Sequence, residues 1–363
     1  MKIDRATKEY EAWLARHTPL LKPDVALKHR RMAGDLFSFL RATFYRWMQL
    51  WPQVCPHLAK APKLLAVGDL HVENFGTWRD IEGRLIWGIN DLDEAYALPY
   101  TLDLVRLAAS AHIAISVEHL MVAPDDACEA LLEGYIKGIE GGGRPFVLAE
   151  EHKWLRELAL GELRDPAHFW AKMDSLRTLK RPVPASARQA LEHVMPERGL
   201  ACRLAHRVAG LGSLGRQRYV ALAEWRGGKV AREAKALAPS ACVWAANGKG
   251  PRGILYQTLL STAVRCRDPF VELRGRWIVR RLAPDCSRIE LASLPKERDE
   301  TRLLEAMGRE TANLHLGSRK ALAKVRRDLK KRPSNWLHAA ARQMVKATAD
   351  DWEDWKKAKT NGG

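Results

Sequence analysis

Two short strand-rich blocks set between helical stretches constrain this chain more than any other feature. Residues 1–62 read mostly as helix: Asp35 can cap a segment in which Leu36, Phe39, Leu40, Phe44, Trp47 and Met48 recur at helical spacing, and Trp51-Pro52 is expected to end it. From residue 63 the texture changes. Leu64-Leu65-Ala66-Val67 is a short apolar run stopped by Gly68, and Phe75-Gly76-Thr77-Trp78, the turn residues Asp80 to Arg84 and Leu85-Ile86-Trp87-Gly88-Ile89 read as strand, hairpin, strand. Helical periodicity returns over 101–122 and continues, with breaks, to 195. A second strand-rich block spans 202–239, with Gly227-Gly228 as its hairpin signal. A helix is expected over 253–265, an alternating strand over Arg276 to Leu282, and helix again from 298 to the end. Helices, strands, helices, strands, helices: this order belongs to the α+β class.

The first strand block carries Gly68-Asp69-Leu70-His71-Val72-Glu73-Asn74, followed by Asn90-Asp91-Leu92-Asp93-Glu94. Phosphoryl transfer from ATP needs one side chain to orient the attacking hydroxyl and two to hold Mg²⁺ against the phosphates. Asp69 to Asn74 has the Asp-x-x-x-x-Asn spacing of a kinase catalytic loop, in which the Asp receives the hydroxyl proton and the Asn binds metal. Asp91, at the end of a strand one hairpin later, supplies a second hard oxygen ligand of the kind Mg²⁺ prefers. His71 and Asp93 are secondary candidates, with His71 expected to orient the loop through a backbone hydrogen bond. The bland alternative is a capped loop whose polar residues satisfy backbone groups.

The second block carries Gly210-Leu211-Gly212-Ser213-Leu214-Gly215. A dinucleotide fold would need a helix directly after the glycines. Here Arg216 to Leu222 and a Gly-Gly turn follow, which is the hairpin setting of a glycine loop over ATP phosphates. Lys235, on or just after the returning strand, can reach those phosphates as a point charge. Gly210, Gly212, Ser213, Gly215 and Lys235 are thus the candidate nucleotide-binding residues, against the alternative of a tight glycine turn beside a solvated lysine.

The chain has 60 Lys+Arg against 43 Asp+Glu, a formal charge of +17, which fits a protein that handles polyanions without choosing among them. Arg319 to Arg332 holds eight Lys/Arg and one Asp around the apolar stripe Leu322, Val325, Leu329, and reads as a basic helix with a solvated outer face. Nucleic acid is therefore admitted as a partner but not favoured. The six cysteines are never closer than 20 residues, so no CxxC spacing exists, and they read as reduced core thiols of a cytoplasmic protein. The most apolar long stretch, Leu104 to Ala123, carries Arg106, His112, Glu118 and His119, and reads as a buried helix rather than a membrane span. Ser213 lacks a GxSxG setting and no HExxH occurs.

Together GDLHVEN, INDLDEA, GLGSLG and the later lysine resemble the protein kinase-like superfamily, especially its aminoglycoside phosphotransferase branch. Asp69, Asn74 and Asp91 match the catalytic Asp, the metal Asn and the metal Asp, and Asp103-Leu104 resembles the Asp-Leu that opens the following helix. The order departs from that pattern, because the glycine loop here follows the catalytic loop. The inverted order, with KHRRMAGDLFSFLRATFYRW at the front, looks like the uncharacterised bacterial family called domain of unknown function 2252, over residues 10 to 320.

The resemblance implies a two-lobed, circularly permuted kinase-like fold. Residues 1–62 would be an N-terminal helical segment, 63–195 the catalytic-loop lobe, 196–295 a nucleotide-binding β-rich lobe, and 296–363 C-terminal helices packing back on the catalytic lobe. It implies ATP and Mg²⁺ as cofactors and an unknown acceptor. If the chain is permuted, the helix ending at His315 must lie beside the strand entering Gly68. A kinase helix should offer Lys235 a Glu, yet 253–267 holds no acidic residue, so Gln257 or a carboxylate elsewhere would serve. Two rivals remain. A metallophosphoesterase is raised by Asp69-x-His71, although no Gly-Asn-His occurs, and the other rival is a non-catalytic nucleotide- or nucleic-acid-binding protein.

Overall fold

A computed structural model describes residues 1–149, 151–159, 165–286 and 299–360. Four helices open the chain: α1 (Ile3–Ala15), α2 (Lys22–Gly34), α3 (Leu36–Ala42) and α4 (Phe44–Val54). Asp35 caps α3 by accepting from the Ser38 N–H at 2.6 Å. The expected single helix from Leu36 breaks at Thr43, whose backbone leaves the helical region. Pro52 does not end α4, which runs on to Val54; its missing N–H costs the last turn one backbone hydrogen bond. Phe44, Tyr45, Trp47 and Trp51 bury the inner face of that helix.

Strand β1 (Lys63–Ala66) pairs antiparallel with β4 (Tyr96–Pro99), and the hairpin of β2 (Phe75–Arg79) and β3 (Leu85–Ile89) lies between them in sequence. Asp80 closes that hairpin: its Oδ1 accepts from Glu82 N at 3.0 Å and from Arg84 N at 2.9 Å. β5 (Phe146–Val147) extends the hairpin to a three-stranded sheet. Behind these strands run α5 (Tyr100–Ser116), buried on nearly all sides, and α6 (Pro124–Gly141). Among the described residues no helix is long and apolar enough to cross a membrane.

Three helices, α7 (Lys153–Ala159), α8 (Pro166–Asp174) and α9 (Ala185–His193), lead to a five-stranded antiparallel sheet. Its strands are β6 (Arg203–His206), β7 (Arg218–Trp225), β8 (Gly228–Ala236), β9 (Glu272–Arg274) and β10 (Trp277–Leu282), in the order β6-β7-β8-β10-β9. The turn from β7 to β8 is made by Arg226 and Gly227, both at positive φ, one residue earlier than the expected Gly-Gly pair. Period-two alternation then sorts the side chains. Tyr219, Ala221, Ala234, Ala236, Trp277 and Val279 pack on Ala187, Ala190 and Leu191 of α9, while Arg218, Glu233, Lys235 and Arg280 fall on the other face. Two short helices, α10 (Ala241–Ala245) and α11 (Tyr256–Thr262), join β8 to β9. The second is shorter than the 253–265 expected.

The last helices, α12 (Glu300–His315), α13 (Arg319–Leu329) and α14 (Trp336–Thr360), return to the first half of the chain. α12 packs against α6, β1 and β3, and α14 against α5, α4 and α1. The end of α12 meets the strand that enters Gly68 through one carboxylate. Asp103 accepts from Val67 N at 2.7 Å, Gly68 N at 2.9 Å and His315 Nε2 at 3.0 Å. With Nε2 donating to the carboxylate, His315 Nδ1 is left to accept from the Tyr135 hydroxyl at 2.9 Å. Three residues on, Ser318 Oγ accepts from Leu65 N of β1 at 2.9 Å.

Candidate functional site

The loop leaving β1 turns Asp69 outward and is held by α5 from behind. Val72 N donates to Ser110 Oγ at 3.0 Å, and Arg106, wholly buried, engages Asp69 Oδ1 from its Nε at 2.9 Å and again from Nη2. Arg106 also lies over the Phe44 and Trp47 rings. Burial raises the Asp69 carboxyl above the usual range, and the Arg106 charge opposes that rise. Asn74 Nδ2 donates to Asp69 O at 2.8 Å, which leaves its carbonyl oxygen as an acceptor. His71 Nδ1 accepts from Glu73 N at 3.2 Å, a hydrogen bond within the loop.

Asp91 and Asp93 follow β3. Lys235 Nζ of β8 reaches both, at 3.2 Å from Asp91 Oδ1 and 2.7 Å from Asp93 Oδ1. Thus carboxylates of the first strand block hold this lysine. Burial pushes Asp91 up, but the Lys235 ammonium with Arg280 and Arg218 overcomes it, so the carboxyl lies well below its ordinary value. Burial and then the Asp91 charge push Asp93 up to about 6. Arg216 bridges Asp93 at 3.4 Å and Glu94 at 3.2 Å, and Glu94 also accepts from Ser240 Oγ at 2.8 Å and Ala241 N at 2.7 Å.

The glycine loop faces these acids. Gly215, at φ +98°, seats against Val25: an added Cβ would lie 2.7 Å from Val25 Cγ2. An added Cβ at Gly212 would lie 3.3 Å from Asp69 Oδ2 and 3.1 Å from Arg41 O, so any larger residue would crowd the Asp69 carboxylate. Two amides of this loop are spent inside it. Ser213 N donates to Gly210 O and Leu214 N to Leu211 O, each at 3.2 Å, because the loop closes into consecutive turns.

Guanidinium groups supply positive lining instead. Arg207, Arg218 and Arg280 converge on Glu233, at 2.6, 2.9 and 2.8 Å. Burial alone would raise Glu233, but those three charges hold it well below the carboxylate range. A cleft of about 270 Å³ unites the set. Asp69, His71, Asn74, Asp91 and Asp93 line it from one side, and Gly210, Gly212, Ser213, Arg207, Arg218 and Arg280 from the other. Gly215 does not line it, and Lys235 meets it through its two carboxylate partners.

Sequence reading missed Lys28, Arg106, Arg216 and the arginines around Glu233. Arg106 carried a signal, the one arginine in a mostly apolar helix. Lys28, which donates to Gly212 O at 3.2 Å and is lowered by burial to about 8, sits in a basic run that looks solvated.

These observations define an α+β protein with a charged cleft, walled by a β1–β4 loop system and by a five-stranded sheet. The chain belongs to the family described as uncharacterized protein conserved in bacteria (DUF2252), whose model matches residues 20–165 and 165–358. That match runs further toward the C-terminus than the resemblance read from the motifs. No curated protein and no solved structure matches the chain.

Proposed function

We propose that this protein is a Mg²⁺- and ATP-dependent phosphotransferase with a protein kinase-like architecture, circularly permuted so that the glycine-loop sheet follows the catalytic loop. One observation carries the reading: Asp69, Asn74 and Asp91 face Gly210, Gly212 and Ser213 across a single cleft, with Lys235 tied to Asp91. The shared carboxylate of Asp103 supports the permutation, since it joins the end of α12 to the entry of the catalytic loop. The donor set suits a hard cation: the Asn74 carbonyl oxygen and Asp91, whose side chain is 39% exposed, would hold Mg²⁺. There the ion would neutralise charge on the phosphates. Arg207, Arg218 and Arg280, with one carboxylate among three cations, leave this wall net positive toward polyphosphate.

Arg106 engages Asp69 Oδ1, and Oδ2 faces the Gly212 turn. That oxygen would accept the proton of the acceptor hydroxyl. The hydroxyl oxygen would bond to the γ-phosphorus as the β–γ bridge bond breaks and ADP leaves. The phosphoesterase alternative needs further histidine ligands around Asp69. Among the described residues no metal-ligand cluster includes Asp69, so that reading gains no support.

The test is a pair of substitutions read by nucleotide binding and by ADP release. Mg²⁺–ATP at 100 times its dissociation constant should stabilise the fold by about 2.7 kcal/mol in thermal denaturation. Asp91→Asn should weaken Mg²⁺–ATP binding itself. Asp69→Asn should leave binding nearly intact and lower turnover by about 10²–10⁴. Absence of stabilisation by any nucleoside triphosphate with Mg²⁺, or unchanged Mg²⁺–ATP affinity in Asp91→Asn, would refute the assignment.

A further inference from the structure

We propose that His112 of α5, Cys128 of α6 and His338 of α14 form a zinc-binding site that ties three helices together behind the cleft. None of the three lines the cleft, so the site is separate from the proposed phosphotransfer machinery. One ligand atom from each lies within 4.8 Å of the other two, with His112 Nε2 at 3.2 Å from Cys128 Sγ and the two imidazole centroids 5.1 Å apart. Zn–N distances of about 2.0–2.1 Å and a Zn–S distance of about 2.3 Å place tetrahedral donors roughly 3.3–3.6 Å from one another. A small rotation of the half-buried His338 closes the set onto an ion.

Two features point to a ligand rather than to ordinary core packing. His338 Nδ1 is buried and takes no hydrogen bond among the described residues, although an orphaned buried ring nitrogen costs stability. His112 Nε2 and Cys128 Sγ also lie 3.2 Å apart, so an imidazole nitrogen and a sulfur already stand at nearly the separation of two ligands on one zinc ion.

Two imidazoles and a thiolate suit Zn²⁺, with the fourth position left to water. On binding, the Cys128 S–H bond is replaced by S–Zn and the proton goes to solvent. Asp125, exposed beside the site, offsets part of the resulting positive charge, and Arg342 opposes it. Because α5 also carries Asp103 and Arg106, an ion at this position would brace the helix that holds the catalytic loop.

The experiment is a Co²⁺ titration of the full chain after chelator treatment, followed by Zn²⁺ competition. One equivalent of Co²⁺ should give a near-ultraviolet thiolate-to-cobalt band and the intense visible bands of a tetrahedral site, and Zn²⁺ should remove both. Cys128→Ser should lose the thiolate band and at least about 100-fold in Zn²⁺ affinity, since even outer-shell losses reach that size. His338→Gln, at the accessible edge, should lose affinity comparably in a folded protein and decides the matter if Cys128→Ser fails to fold. Cys202→Ser, at an exposed cysteine, should leave the spectrum unchanged. A six-coordinate spectrum, bands that persist in Cys128→Ser, or wild-type Zn²⁺ affinity in His338→Gln would overturn the site. ATP binding is read separately and does not depend on these outcomes.

Discussion

The two loops that meet across the cleft are held by opposite means. The Gly68–Asn74 loop is fixed by directional polar groups: Asp103, Arg106 and Ser110 share a face of α5 and bind Gly68 N, the Asp69 carboxylate and Val72 N, and Arg41 of α3 donates to Glu73. The glycine loop is fixed largely by packing from outside its own sheet. Leu211 and Leu214 sit in an apolar cluster with Ile3, Met32, Phe39 and Trp355, and Leu21 N donates to Gly215 O at 2.7 Å. Directional hydrogen bonds fix a carboxylate to within a fraction of an ångström, as proton transfer demands. Apolar packing fixes the shape of a backbone turn but allows it to move as a body, as the proposed nucleotide loop would need to.

The comparison breaks most readily at Asp103. Asp103→Ala would strand two buried N–H groups and His315 at once. Removing one partner from such a buried set costs about 3–5 kcal/mol, and urea denaturation should show a loss of that size. A loss below about 1 kcal/mol, the worth of a single hydrogen bond, would mean that packing alone holds the first loop as well.

A second anchor on the same side is Glu310 of α12. Its Oε1 accepts from Ile89 N at 3.2 Å, at the strand end that leads into Asp91, and Asn313 Nδ2 donates to Oε2 at 2.8 Å. Burial pushes this carboxyl from 4.5 up to about 7. Between those two pH values the folded chain holds a proton that the unfolded chain has lost, so stability from this group falls as pH rises. At about 1.4 kcal/mol per pH unit, the rise amounts to about 3 kcal/mol. Glu310→Gln should remove that part of the slope, so the stability difference between variant and wild type should change by about 3 kcal/mol from pH 4.5 to pH 7. A constant difference across that window would show that Glu310 is ionised in the fold.

How much of this was legible follows the same division. The first loop announces itself because its chemistry and its anchor are local. The apolar run stops at Gly68, the polar residues follow at fixed spacing, and Asp103 lies in the first turn of the next helix. The sheet was legible in part, through the glycine hairpin signal after Tyr219 to Ala223 and the alternation in Arg276 to Leu282. What no local pattern could show is which distant elements converge. Lys28 and Gly212 are 184 residues apart, Asp91 and Lys235 are 144 apart, and His315 and Asp103 are 212 apart. The arginines around Glu233 come from β7, β10 and the residue just after β6, so their convergence depends on strand register rather than on a motif. Cys128 looked like a core thiol because its two histidine neighbours come from other helices.

The smallest effect tests the glycine-loop side, at Lys28. Its ammonium is buried, and burial lowers it from 10.5 to about 8. Below pH 8 the fold must keep a charge that water would solvate better, at a cost of about 3 kcal/mol by the same 1.4 kcal/mol per pH unit. Between pH 8 and 10.5 the unfolded chain still holds the proton and the folded chain has lost it, so this group makes stability rise with pH there. Lys28→Met removes the charge and also the hydrogen bond to Gly212 O, worth about 1 kcal/mol. The variant should be more stable than wild type by about 2 kcal/mol at pH 7, and that advantage should shrink toward pH 10.5. The freed loop should at the same time lose roughly fivefold in ATP affinity, the equivalent of that one hydrogen bond. A less stable variant with unchanged affinity would mean that Lys28 braces α2 and not the loop.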